Sequence, residues 1–205
     1  MLLHELGDLH GGALWRAAAP TDWIIPDLPG HGIAPAPRSG HYDPMVPISF
    51  ARWMLPSEAA STLVGVGEHA HCALVHAAGA GCGRVVIVDG LGGPWLGARE
   101  QIDEFYDSLR AIVDDPLAST PPPATGTDPR TRYGYGVNLS SAFVQRFWAI
   151  IDQPVLAIET PASTTPLDER AERITWFGGD AKLVELESNE PSAIVAAVLK
   201  WCTDF

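Results

Sequence analysis

Short apolar runs alternate with helix-length segments along this chain of 205 residues, and that alternation leaves few folds open. Residues 84–88 read Arg-Val-Val-Ile-Val, a continuous apolar run of the kind found in parallel strands covered on both faces. Comparable strands are expected at residues 1–4, 23–26, 61–66, 155–159 and 182–186. Helices are expected at 13–20, 68–79, 99–113, 140–151, 166–177 and 191–203. Residues 44–60 are amphipathic but interrupted by Pro44, Pro47 and Pro56, so a broken helix is expected there. Strand-helix alternation with short loops predicts an α/β fold, a doubly wound and mostly parallel sheet of about six strands. No internal repeat is present. A single domain spanning 1–205 fits the length, with 97–150 as a reduced cap insertion. Within it, the stretch 116–136, centred on Pro121-Pro122-Pro123, reads as a loop.

Charge narrows the partners. A formal net charge of −12 repels nucleic-acid phosphates over most of the surface. No run of about 18 apolar residues is present, so no membrane-spanning helix is expected. The opening residues lack a basic segment and a small-residue cleavage site, which argues against a signal peptide. Cys72, Cys82 and Cys202 have no CxxC spacing and read as reduced thiols of a cytoplasmic protein. Only two lysines occur, Lys182 and Lys200, against abundant Arg, Ala, Gly and Pro, a composition typical of GC-rich bacterial genomes.

Three stretches carry a resemblance. Leu3-His4-Glu5-Leu6-Gly7-Asp8 is similar to a strand and oxyanion loop written LHGxGx. Pro26-Asp27-Leu28-Pro29-Gly30-His31-Gly32 reproduces a PDLPGHG turn, the most specific of the three. Leu63-Val64-Gly65-Val66-Gly67-Glu68-His69-Ala70 stands where LVGHSxGG is usual. Together, and in this order, they resemble the α/β-hydrolase superfamily, and residues 86–90 and 153–158 extend the likeness over almost the whole chain. The resemblance implies an α/β-hydrolase-like sheet with a small helical cap. It also implies that the chain starts at the superfamily's third strand, without the first hairpin.

The same resemblance implies that the usual triad is missing. The nucleophile elbow needs a side chain on its strained turn, and the matching residue here is Gly67. All seven histidines lie at or before His76, whereas the superfamily's base follows its nucleophile and acid. The acid position reads Thr160-Pro161-Ala162-Ser163, without a carboxylate in register, and the loop expected to hold the base reads 186–191, Leu-Glu-Ser-Asn-Glu-Pro.

Other chemistry remains open. Ligands bind at the carboxyl ends of strands in open α/β sheets. There the resemblance places Glu68 and His69, opening the helix after the elbow, opposite His4, Glu5 and His10. A glutamate beside imidazoles at a helix N-terminus is a reasonable acid–base set, with Glu68, His69 and His4 as candidate catalytic residues. The backbone amides of Glu68 and Glu5 match the superfamily's oxyanion donors. Glu5, His10, Gly67, Asp89, Trp95 and Tyr133 are candidate substrate contacts.

Plainer roles compete at each position. His4 and His31 are commonly structural in such motifs, and Glu68 suits a helix N-terminus without any catalytic duty. His69, Cys72 and His76 share a helix face at metal-ligand spacing, yet that helix normally packs on the sheet, so no metal is expected. His71 is expected at solvent or against a neighbouring loop. No phosphate loop or dinucleotide fingerprint is present, and no cofactor is expected.

Two functions follow. One is a non-serine acid–base enzyme, a lyase, isomerase or cyclase acting on a small carbonyl or ester compound of bacterial specialised metabolism. The other is a catalytically inactive pseudo-hydrolase that binds a ligand or a protein, or a second copy of itself, across an uncovered sheet edge.

Overall fold

The computed structural model describes residues 1–8, 10–37, 42–55, 61–92, 107, 114, 126–133 and 139–204. Five parallel strands form one sheet: β1 (Leu2–Leu3), β2 (Thr62–Val66), β3 (Arg84–Val88), β4 (Val155–Glu159) and β5 (Ala181–Glu185), side by side in chain order. The helices are α1 (Ala13–Ala18), α2 (Met45–Met54), α3 (Glu68–Ala80), α4 (Ser141–Trp148), α5 (Leu167–Ile174) and α6 (Pro191–Thr203), with a 3-10 turn at Pro129–Tyr133.

The pleat explains why the central strands are apolar throughout. Successive side chains point to opposite faces. Leu63, Val85, Ile87, Val155 and Ala157 enter a core closed by α3 and α4, which contribute Leu74 and Trp148. Val64, Val66, Val86, Val88, Leu156 and Ile158 enter a second core closed by α1 and α6, through Trp15, Ile194 and Trp201. Neither face meets water, so neither can be polar. Helix α3 lies unusually close to β2: a Cβ on Gly65 would stand 2.3 Å from the His69 carbonyl oxygen, so only glycine fits there.

The doubly covered parallel sheet agrees with the sequence, but several details differ. Residues 23–26 are not a strand. They run beside β1 and contribute one bond, from the Leu2 amide to the Ile24 carbonyl (2.9 Å). Pro26 has no N–H to give a ladder and the chain turns at once into 26–32, so regular pairing cannot propagate. Over Met45–Met54 helix α2 is continuous rather than broken, because Pro47 falls in its first turn, where a missing N–H costs nothing; Pro56 and the rest of the expected segment to residue 60 lie outside the described residues. Most of the helix expected at 99–113 and of the loop expected at 116–136 lies outside the described residues.

Because all five strands are parallel, their carboxyl ends share one edge. The loops after β1, β2, β3 and β4 meet there.

Candidate functional site

Gly67 follows β2 directly and opens α3. Its φ of 58° and ψ of −126° define a sharp turn in a region open essentially to glycine. The turn is held by the Gly67 amide on the Val88 carbonyl (2.9 Å) and the Ala70 amide on the Gly67 carbonyl (3.0 Å). A Cβ at Gly67 would meet Glu5 Cγ at 3.0 Å and Glu5 Oε1 at 3.3 Å. The space a side chain would claim at this turn is therefore occupied by the carboxyl of Glu5, reaching across from the loop after β1.

Around that carboxyl lies a cavity of about 160 Å³ lined by Glu5, Val66, Gly67, Glu68, Asp89, Ala162 and Thr164. Three carboxylates face it, and no lysine, arginine or histidine is among these lining residues. Glu5 remains open to solvent on one side, but partial withdrawal from water, with the nearby charges of Glu68, Asp8 and Asp89, pushes its pKa up to about 7. Glu68 reaches solvent as well, and the protein around it raises its pKa above the ordinary glutamate value. Asp89 is committed elsewhere: one oxygen accepts the Thr160 amide (2.7 Å), the other the Thr160 hydroxyl (2.8 Å). It holds a positive φ of 52° while pinning the end of β3 to the loop after β4.

The imidazoles have a different task. His4 is fully buried; its Nδ1 donates to the Glu5 carbonyl (3.0 Å) and its Nε2 accepts from the Leu28 amide (3.2 Å). His31 mirrors it from the opposite loop, with Nδ1 donating to the Pro29 carbonyl (3.0 Å) and Nε2 accepting from the Gly7 amide (2.8 Å). Each ring ties the loop after β1 to the turn at 26–32, and the two meet edge to face at 4.8 Å. His69 is also fully buried, its Nδ1 bonded to the His4 carbonyl. Desolvation pushes the pKa of His4 down to about 4 and of His69 to about 3, so both stay neutral near pH 7.

Of the three candidate catalytic residues, then, only Glu68 lines the cavity. His4 and His69 stand behind it as supports: His4 follows β1 directly inside the core, and a helix packed this closely on the sheet turns its first inward side chain, His69, into the core. Among the candidate contacts, Glu5, Gly67 and Asp89 are brought together. His10 lies exposed, outside the cavity lining, its amide on Asp8 Oδ1 (2.8 Å). Trp95 lies outside the described residues, and Tyr133 ends the 3-10 turn. His69, Cys72 and His76 do not converge: Cys72 Sγ donates to the Pro44 carbonyl (3.6 Å), and among the described residues no three potential ligands gather for a metal. His71 packs against Phe147 of α4, with ring centroids 5.6 Å apart.

Two buried polar clusters have no counterpart in the sequence reading. Glu159, at the end of β4, accepts from the Leu91 amide (3.1 Å) and the Ser163 hydroxyl, with Arg170 Nε at 3.9 Å. Asp128 and Arg130 form a buried ion pair (2.9 Å), and Asp128 also accepts the Tyr42 hydroxyl (2.9 Å). The Tyr42 partner lies 86 residues from Asp128, so no local pattern announces it.

Solved structures share this architecture. The thioesterase domain from the curacin biosynthetic pathway superposes with a TM-score of 0.65 at 16% identity, covering 97% of this chain and 89% of that one. The fold is that of the α/β-hydrolases. The enol-lactonase from Burkholderia xenovorans matches at a TM-score of 0.64 and 19% identity, covering 98% and 90%. The Paleococcus ferrophilus monoacylglycerol lipase matches at 0.65 and 17%, covering 99% and 93%. Superposition at identities this low shows the α/β-hydrolase fold alone. No protein-family model matches the chain, and no curated protein matches it in sequence. No helix among the described residues is long and apolar enough to cross a membrane.

Proposed function

We propose that this α/β-hydrolase-fold chain does not hydrolyse through a serine triad, and that it is an acid–base enzyme in which Glu5 carries the proton. The observation supporting this is the Glu5 carboxyl over Gly67, in the space a nucleophile side chain would need. A carboxyl with a pKa of about 7 is divided between its acid and base forms near neutral pH, which suits a group that both takes and returns a proton. Glu68, next to it in the cavity, is the second carboxylate of the pair. Two carboxyls held in unlike surroundings can divide acid and base roles.

The reaction class is proton abstraction beside a carbonyl followed by elimination, isomerisation or ring closure. The substrate is small, because the cavity is about 160 Å³, below the range of roughly 300–1,000 Å³ usual for drug-sized ligands. The described lining residues include no cation, which argues against an anionic substrate. A panel of small ketones, lactones and β-keto esters, incubated in D2O and followed by proton NMR, tests the proposal. Exchange at the α-carbon with the native chain, and its loss in Glu5→Gln, is the expected result. Ester hydrolysis by both proteins with no α-exchange overturns it.

A second reading is an inactive ligand-binding pseudo-hydrolase. It is favoured by the structural use of His4, His31 and His69, which leaves the described cavity lining without an imidazole. On that reading a cavity ligand binds and no exchange occurs.

A further inference from the structure

The loop after β4 brings a hydroxyl to the cavity that holds Glu5. Residues 160–165 of this loop carry four hydroxyl side chains, and two are spent within the protein: Thr160 on Asp89 Oδ2 (2.8 Å) and Ser163 on Glu159. Thr164 is exposed and lines the cavity, and its hydroxyl has no hydrogen-bond partner among the described residues. A Cβ on Gly92 would stand 3.1 Å from Thr164 Oγ1, so glycine in the loop after β3 keeps that flank of the hydroxyl clear. We propose that the Thr164 hydroxyl donates to the carbonyl oxygen of the substrate whose α-proton Glu5 removes. This assignment rests on the reading of Glu5 as the proton carrier.

The lining chemistry selects Thr164 for the task. A ketone or ester carbonyl accepts hydrogen bonds and donates none. Ionised carboxylates also only accept, so Glu5, Glu68 and Asp89 offer that oxygen nothing in the form in which Glu5 is a base. A threonine hydroxyl donates whatever the charge on its neighbours, and Thr164 is the one side chain among the described lining residues that does so. In the step itself the proton passes to the Glu5 carboxylate. The C–H electron pair becomes the C=C bond of the enolate, and the C=O π pair settles on oxygen. The Thr164 proton stays on its own oxygen, and its hydrogen bond strengthens as that charge grows.

The donor is also held before a substrate arrives. Thr160 gives its amide to Asp89 Oδ1 (2.7 Å) at the end of β3, and the Ala162 amide returns to Thr160 Oγ1 (3.1 Å). The Ser163 amide bonds the Thr160 carbonyl (3.1 Å), and the Thr165 amide bonds Ser163 Oγ (3.1 Å). Thr164 is therefore pinned on both sides. A donor fixed in advance costs no reorganisation when charge develops on the oxygen it faces.

Cyclopentanone labelled with carbon-13 at the carbonyl tests the proposal on the full chain in D2O. Proton NMR follows exchange at the α-carbon, and carbon-13 titration reads the bound carbonyl shift, which moves downfield when the oxygen accepts a hydrogen bond. Thr164→Val, isosteric and at an exposed position, is expected to slow exchange about 100-fold, mainly through kcat, and to remove the downfield shift. Thr164→Ser keeps the donor and restores both readouts. In Glu5→Gln exchange is lost while the shift persists, and adding Thr164→Val abolishes it. Exchange that survives Glu5→Gln yet falls with the shift in Thr164→Val removes Glu5 and keeps Thr164. Exchange that is lost in Glu5→Gln, with rate and shift both unmoved in Thr164→Val, keeps Glu5 and overturns the role of Thr164. A ketone that gives no saturable shift with the native chain or with Glu5→Gln overturns it as well.

Discussion

Glycine at position 67 and glutamate at position 5 act as one unit. The turn at φ 58° and ψ −126° strains any L side chain, and a Cβ there meets Glu5 Cγ at 3.0 Å. Gly67→Ala is therefore expected to lose about 1–3 kcal/mol of stability, measured by urea unfolding, and to displace Glu5. Glu5 itself is a liability for the fold. Its pKa is raised in the folded chain, so its stabilising contribution is full below about pH 4.5 and is lost as pH rises through about 7. Glu5→Gln is expected to leave Tm unchanged at pH 4.5 and raise it at pH 8. Solvent at the carboxyl keeps the gain below about 1 kcal/mol, a Tm rise of no more than about 4 °C in a domain of this size. Sequence alone reached Gly67, Glu5, Glu68 and Asp89, because a strand-end motif fixes where such residues fall. It misplaced His69, since a motif gives a residue's position on a helix but not the closeness of that helix to the sheet.

At the scale of elements, the apolar runs at β2, β3 and β4 were legible because both faces of each strand are buried. The segment at 23–26 was not, since its apolar residues fill an edge rather than a ladder. Least legible was the docking of the 3-10 turn. Thr127 bonds the Asp8 carbonyl (2.6 Å), and the Asp128–Arg130 pair joins Tyr42 and Pro37, contacts made across tens of residues. Removing one member strands the other in a buried place. Arg130→Met is expected to cost about 3–5 kcal/mol, since Asp128 would then be a buried charge without its cation. Tyr42→Phe, which keeps the ion pair, is expected to cost about 1 kcal/mol. Denaturant unfolding of the two variants separates these values.

For the whole molecule, the buried imidazoles set the acid limit. His4 and His69 have pKa values lowered to about 4 and about 3, below the 6.5 of an unfolded histidine. The unfolded chain thus binds more protons as pH falls below 6.5, and stability declines from there toward pH 4. Glu5 opposes that slope over part of the range, so Glu5→Gln should show the steeper acid decline in Tm between pH 7 and 4.5. All of this turns on the protonation of one carboxyl. Carbon-13 NMR of the glutamate side-chain carboxyls, with Glu5→Gln to assign the resonance, measures it directly. A midpoint near pH 7 for Glu5 is the result expected of a proton carrier seated over Gly67. A midpoint near 4.5 would show an ordinary solvated glutamate and contradict the acid–base role.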